Sequence, residues 1–355
     1  MFPFYIVFFI LLLFVFIDIS TFSSKQKHFF LLISYFLLTL FAGLRATSPD
    51  YEAYAEVFKI LGDNRIVNED ITIVANDPGY MLLNRFISFF TSFPIFLFLS
   101  VAMMSVGINL YSYQKYTPFF FTAILLYFVH TYIGRELMQI RAGLACAICL
   151  YSIQFIINRQ GWKFLLTILV AASFHLVAIC FLWAYVLCSL KLSLRVWKVL
   201  IFSSIVIGLF CPLGQFIKMI PAMDLLERVQ GYNEWEEYNG SLGVLTNPTV
   251  LKTLFITLLS MRFFNQLQSF QGFKAFFDLY AFSLCWLVCF SDYGIFCARI
   301  ATVFSIVEVI ICSYFYVLVP IRFRLSVSVL LILFAFAILS LNIYTGRTFD
   351  YKLAI

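Results

Sequence analysis

The chain has 355 residues, of which 63% are hydrophobic and 12% charged, with a formal net charge of +6. A water-soluble protein of this length needs a more polar surface, so a soluble globular enzyme is excluded. The positive balance is thinly spread, with no dense Lys/Arg run, so no nucleic-acid partner is expected.

In chain order, apolar runs fall at about 3–21, 28–45, 93–113, 117–134, 136–158, 162–190, 196–218, 247–267, 273–291, 296–319 and 324–344. Runs of about 20 residues are long enough to cross a hydrocarbon layer of about 30 Å as helices. They predict an all-α, polytopic integral membrane protein with about 11–12 membrane helices in a single membrane domain spanning 1–355. The first run has no basic residue before it and no small-x-small cleavage site after it, and Lys25 and Lys27 follow. That predicts an uncleaved span. Most cysteines lie inside apolar runs, including the isolated pair Cys146 and Cys149, and read as small packing residues.

The run 162–190 is too long for one comfortable span, since at about 1.5 Å per residue it would exceed 40 Å. Basic residues without acids flank it: Arg159 and Lys163 before, Lys191, Arg195 and Lys198 after. The positive-inside rule puts both flanks in the cytoplasm, with Lys25, Lys27, Lys115, Arg262, Lys274, Arg322 and Arg324. All of these agree if 162–190 is a hairpin of two short helices turning near His175. Such a turn is tolerated at membrane depth only inside protein or a water-filled cavity. The opposite side then takes the two longer loops, about 46–92 and 219–246, the C-terminal tail and nearly all acidic residues, with Asp18 and Asp278 the exceptions. In the first loop, Tyr51, Tyr54 and Phe58 share one face of a predicted short surface helix.

Charged residues and histidines gather at the predicted outer ends of the spans: Arg45, Asp50, Asp77, Arg85, His130, Arg135, Glu136, Arg141, His175, Asp292 and Arg299. Arg135 and Glu136 read as interfacial residues. Arg141 follows Arg135 by six positions, which on a continuous helix puts it about 9 Å deeper. An Arg near the bilayer centre costs about 3 kcal/mol, so it needs either a function or an acidic partner that fixes helix packing. Gly143 and Ala147 form a small-xxx-small pair that predicts close approach of a neighbouring helix. Arg45, Arg141 and Arg299 on one side predict an anion site, since guanidinium matches phosphate oxygens in charge and geometry. His175 reads equally as a hydrogen-bonded structural residue or as a base for a sugar hydroxyl. There is no HExxH, DxD or GxxxxGK[ST] pattern, so neither a metal, a cofactor nor a loop-bound nucleotide is expected.

Five stretches carry a family resemblance: GLRATSPDYEAY, NDPGYMLLNRFI, QIRAGLACAI, AASFHLVAI and ARIATVF, in order between residue 43 and about residue 304. With them the chain resembles polysaccharide polymerases of the EpsG/Wzy type. Ala142 departs from the Gln that often follows the Arg of the third stretch. The resemblance implies a bacterial inner-membrane glycosyltransferase with its active face in the periplasm, using undecaprenyl-pyrophosphate-linked oligosaccharide. It implies transfer of the growing glycan onto the terminal sugar of a new lipid-linked repeat unit, and leaves a chain-length regulator open as a partner. On this reading Arg141, Arg299, Arg45 and Arg135 hold the pyrophosphate. His175, Asp50 and Arg141 serve catalysis, and Asp77, Tyr80, Tyr232, Trp235 and Tyr238 meet the glycan. A flippase for lipid-linked oligosaccharide and a membrane O-acyltransferase are the competing readings.

Overall fold

Helices account for nearly all regular structure in the computed structural model, which describes residues 2–62, 77–214 and 243–354. Helix α1 (Phe2–Val15) tightens into a 3₁₀ turn at Phe16–Ile19. Helix α2 (Ser24–Gly43) starts at a capping box, in which the Gln26 side chain accepts from the Ser23 N–H at 2.8 Å and Ser23 Oγ accepts from the Gln26 N–H. Helices α3 (Tyr51–Gly62) and α4 (Pro78–Ser88) are short, and Pro78 starts the second in the first-turn position that needs no N–H. Helix α5 (Ile95–Tyr116) follows. Helix α6 (Phe120–Tyr127) widens into a π-helical turn, Phe128–Tyr132, and ends in Ile133–Arg135. Next come α7 (Ile140–Ile157) and α8 (Gly161–Phe174), then a 3₁₀ turn and α9 (Leu182–Ser189). The remaining helices of more than ten residues among the described residues are α10 (Leu194–Phe210), α11 (Pro248–Arg262), α12 (Phe273–Cys289), α13 (Gly294–Phe304) and α14 (Arg324–Tyr344).

Among the described residues, six helical stretches are long and apolar enough to cross a bilayer: Phe2–Ile19, Ser24–Gly43, Ile95–Tyr116, Ile140–Ile157, Cys297–Leu318 and Ile321–Tyr344. The chain is thus a multi-pass, all-α membrane protein. The expected division of 162–190 is present: α8 stops at His175, whose backbone is extended at φ −158° and ψ 115°, and a second short helix follows. The chain forms two compact units, Met1–Ile179 with Cys312–Ile355, and Cys180–Ile311.

In the first unit, α7 packs against both α5 and α8, and most of its residues are buried. The link from α7 to α8 turns on Arg159, which takes φ 54° in a place that usually selects glycine. Asp18 is a polar residue inside the first span with a structural task. It is buried and accepts from the N–H groups of Phe121 and Thr122 at 3.2 and 2.7 Å, and from the Thr122 hydroxyl at 2.8 Å. It therefore caps the start of α6 from another helix, satisfying donors that the helix itself leaves open. Thr122, Tyr316 and Ser328 continue this buried chain of hydroxyls at 3.1 and 2.8 Å. In the π turn, the Val129 carbonyl accepts from the Asn342 amide at 2.6 Å, so a backbone acceptor buried by the widened turn is satisfied by α14.

In the second unit, α12 packs against α10 and α11. Gly208 permits the first of these contacts, since a Cβ there would lie 2.4 Å from the Val288 carbonyl oxygen. Asp278 accepts from Trp197 Nε1 at 2.7 Å and pairs with Lys274. Glu308 corrects the sequence reading of acidic residues. It lies inside the Cys297–Leu318 span, buried, and pairs with Lys252 at 2.7 Å while accepting from the Tyr280 hydroxyl at 2.9 Å. It is a third exception to the outward placement of acids, and its partners make the burial tolerable.

Replacing Asp18 with Ala leaves the first N–H groups of α6 without an acceptor in a buried setting. We expect a loss of about 2 kcal/mol of stability, read as a lowered unfolding midpoint in detergent. An unchanged midpoint would remove the cap from the account.

Candidate anion site

Helix α7 does not continue the helix before it. Residues 136–139 turn, with the Glu136 and Leu137 N–H groups both donating to the Tyr132 carbonyl, and α7 restarts at Ile140. Arg141 is therefore a first-turn residue of α7, and the depth expected from a continuous helix does not apply. Gly143 also has a different role from the one expected. A Cβ there would lie 2.9 Å from Glu136 Oε2 and 3.3 Å from the Arg135 carbonyl, so the missing side chain admits the chain's own turn.

A cation in the first turn of a helix opposes the helix dipole and needs compensation. Asp77 provides it. It stands at the N-cap position of α4 without capping that helix, and its Oδ2 accepts from Arg141 Nη1 at 2.7 Å. The Arg141 side chain is 27% exposed and that of Asp77 9%. Two aromatic rings flank the same guanidinium, Tyr54 from α3 at 5.7 Å and Tyr80 from α4 at 5.6 Å, a distance at which the ring faces attract a cation. The pair of rings meets edge to face, 5.9 Å apart. Arg141 Nε and the Tyr80 hydroxyl are buried with no hydrogen-bond partner, and no side chain caps the N-terminus of α7.

The short helix α3 owes this arrangement to its amphipathic pattern. Its buried face is Tyr54, Ala55, Val57, Phe58 and Leu61, packed against α4. The face expected to lie on the membrane surface is turned into the protein. Asp50 immediately precedes α3, and its carbonyl accepts from the Tyr54 N–H at 3.2 Å.

Arg45 is wholly buried. It donates to the Ala42 carbonyl, and its guanidinium lies 4.7 Å from the centre of the Phe98 ring. Its Nε and Nη2 have no hydrogen-bond partner. Phe98 also stacks on Tyr51 at 4.7 Å and touches Tyr54 at 6.4 Å, which links the Arg45 and Arg141 neighbourhoods. The C-terminal tail holds the Arg45 segment. The Ala46 N–H donates to the Lys352 carbonyl and the Ala354 N–H to that of Leu44, both at 2.8 Å, in an antiparallel bridge of Arg45 with Leu353. Tyr351 stacks on Phe41 at 4.4 Å and donates to its carbonyl at 2.8 Å.

His175 lies at the same end of the unit. It follows Ser173 by two positions, and Gly79 of α4 touches that serine so closely that a Cβ would lie 2.3 Å from its hydroxyl. The end of α8 thus meets the start of α4, where Asp77 and Tyr80 stand. Glu136 also departs from the interfacial reading. It is only 2% exposed and accepts from the Tyr127 hydroxyl at 2.8 Å, within electrostatic reach of Arg45. Arg135 beside it is half-buried. Arg299 is half-buried on α13 in the second unit. Tyr232, Trp235 and Tyr238 lie outside the described residues. Sequence reasoning missed Phe98, the burial of Glu136 and the tail. An aromatic at a helix start, one acid beside an Arg and a short polar tail carry no distinctive signal.

The EpsG family model matches residues 28–353. A curated relative, the amylovoran biosynthesis protein AmsC of Erwinia amylovora, is 23% identical over 330 residues, covering 88% of this chain and 87% of that protein. No solved structure gives a significant match.

A double-mutant cycle of Asp77→Ala and Arg141→Ala, read as unfolding free energy in detergent, is expected to give a coupling of about 1–3 kcal/mol. Additive losses would show that the pair does not hold α4 to α7.

Proposed function

Because the chain belongs to the EpsG family, we propose that it polymerises lipid-linked polysaccharide repeat units, as a glycosyltransferase working at the periplasmic face of a bacterial inner membrane. Its donor is a growing glycan on undecaprenyl pyrophosphate, and its acceptor is the terminal sugar of a new lipid-linked unit. The observation that supports this most is the Arg141 guanidinium in the uncapped first turn of α7, its buried Nε without a hydrogen-bond partner, together with the buried Arg45, whose Nε and Nη2 have none either. Guanidinium groups and open helix N–H groups both favour phosphate oxygens. The matched relative is named for biosynthesis of amylovoran, which agrees with this class of reaction.

In the proposed reaction the acceptor hydroxyl attacks the anomeric carbon. The new glycosidic C–O bond forms as the C–O bond to pyrophosphate breaks, and the pyrophosphate leaves on its lipid. Negative charge grows on the leaving group, where Arg141 and Arg45 stabilise it; one such preorganised contact is worth about 3 kcal/mol. Arg135 is a further proposed pyrophosphate contact. The hydroxyl's proton goes to His175 or Asp50. Asp77 keeps Arg141 charged and aimed, while Tyr80 and Tyr54 present ring faces suited to sugars as well as to guanidinium. Tyr232, Trp235 and Tyr238 remain proposed glycan contacts.

Arg141→Ala is expected to abolish long-chain polymer while single repeat units still reach the final acceptor, seen as collapse of the glycan ladder on a gel. Arg141→Lys keeps the charge but loses the two-pronged geometry, and should leave only short chains. A normal ladder from Arg141→Ala, at normal protein level in the membrane, would overturn the proposal.

A further inference from the structure

One cavity in the first unit has no part in the site so far. It has a volume of about 440 Å³, and its walls are Ile108 from α5, Leu144, Ile148 and Tyr151 from α7, and Thr167 and Phe174 from α8, among others. This is within the range of about 300–1,000 Å³ for small-molecule sites. Its surface is almost wholly apolar, and the Thr167 hydroxyl is already used, donating to the Lys163 carbonyl at 2.7 Å. It opens sideways past Leu166 and Val170, which are 45% and 52% exposed on a helix that faces lipid.

Position connects this groove to the anion site. Leu144 follows Arg141 by three residues on α7, one turn further into the span on the same side of the helix. Phe174 is the neighbour of His175 at the end of α8. The groove then follows both helices from Leu144 to Tyr151 and from Phe174 back to Thr167. Seven residues at 1.5 Å make each wall about 10 Å long. The walls are apolar for that whole length, so the groove suits a hydrocarbon chain laid along α7 and α8. Arg141 stands one turn before its Leu144 end, and its other end lies deeper along α7.

We infer that this groove binds the first isoprene units of a polyisoprenyl phosphate carrier, whose phosphate sits at Arg141. The inference rests on the polymerase reading for the identity of the carrier. It adds where the lipid chain lies: the phosphate at the charge of Arg141, the isoprene units along the apolar walls of α7 and α8.

The full chain in phosphatidylcholine nanodiscs, with a photoreactive benzoylphenylalanine at position 167 or at the lipid-facing position 330, tests this with undecaprenyl phosphate as the probe. Undecaprenyl phosphate adducts are expected at 167 about tenfold above 330, and about tenfold fewer when Arg141 is also Ala or when undecaprenol replaces the phosphate. Equal adducts at 167 and 330, or phosphatidylcholine adducts prevailing at 167, would overturn the groove. Val170→Trp, at an exposed position that folding tolerates, should fill the groove and shorten the polymer, whereas Leu330→Trp should not. The two readings fail separately. A normal glycan ladder from Arg141→Ala with selective adducts at 167 sinks the polymerase and keeps the groove. Loss of polymer in Arg141→Ala with equal adducts sinks the groove and keeps the polymerase.

Discussion

The ion pair of Arg141 with Asp77 is the contact on which the head of α7 in the first unit depends. A guanidinium in the first turn of an apolar helix faces both the dipole of that helix and the cost of leaving water. One carboxylate at 2.7 Å answers the charge, and two tyrosine rings shield it. To deliver these groups the chain uses two short helices between its spans, α3 and α4. They pack against each other, and α4 also against α8, so that side chains of both cover the head of α7. The pair uses Nη1 of Arg141, while its Nε is buried and has no hydrogen-bond partner.

Arg45 follows a different logic. It has no carboxylate in direct contact and is wholly buried, which is costly unless something else compensates. The backbone around it is fixed from outside by the C-terminal tail, through two main-chain hydrogen bonds that form one antiparallel bridge and through the Tyr351 ring. The matched family region runs to residue 353 and so includes this strap. The tail joins the helix bundle to the site in a way that ordering by spans alone does not suggest.

Much of the fold was legible because lipid makes a simple demand: backbone groups must be satisfied internally, and only long apolar helices do so. Six of the expected spans, the break at His175 and the short helix at Tyr51 follow from run length, basic flanks and periodicity. Arg141, Arg45, Asp77 and Tyr80 were visible as costly or patterned residues. What periodicity does not carry is where a helix restarts. The turn at 136–139 moves Arg141 from depth to a helix end and takes Glu136 into the core, and both depend on tertiary packing around Gly143. Glu308 lies inside the apolar run 296–319 and so was legible as an acid within a span; its partners Lys252 and Tyr280, distant in sequence, were not.

The central claim is that the partnerless donors of Arg141 and Arg45 receive a lipid diphosphate. A cryo-electron microscopy structure of the full chain with undecaprenyl pyrophosphate tests it most directly. The account predicts diphosphate oxygens within about 3 Å of Arg141 nitrogens, next to the first turn of α7, with Arg45 facing the same group. A diphosphate bound elsewhere, with the Arg141–Asp77 pair unchanged and none at the head of α7, would contradict it.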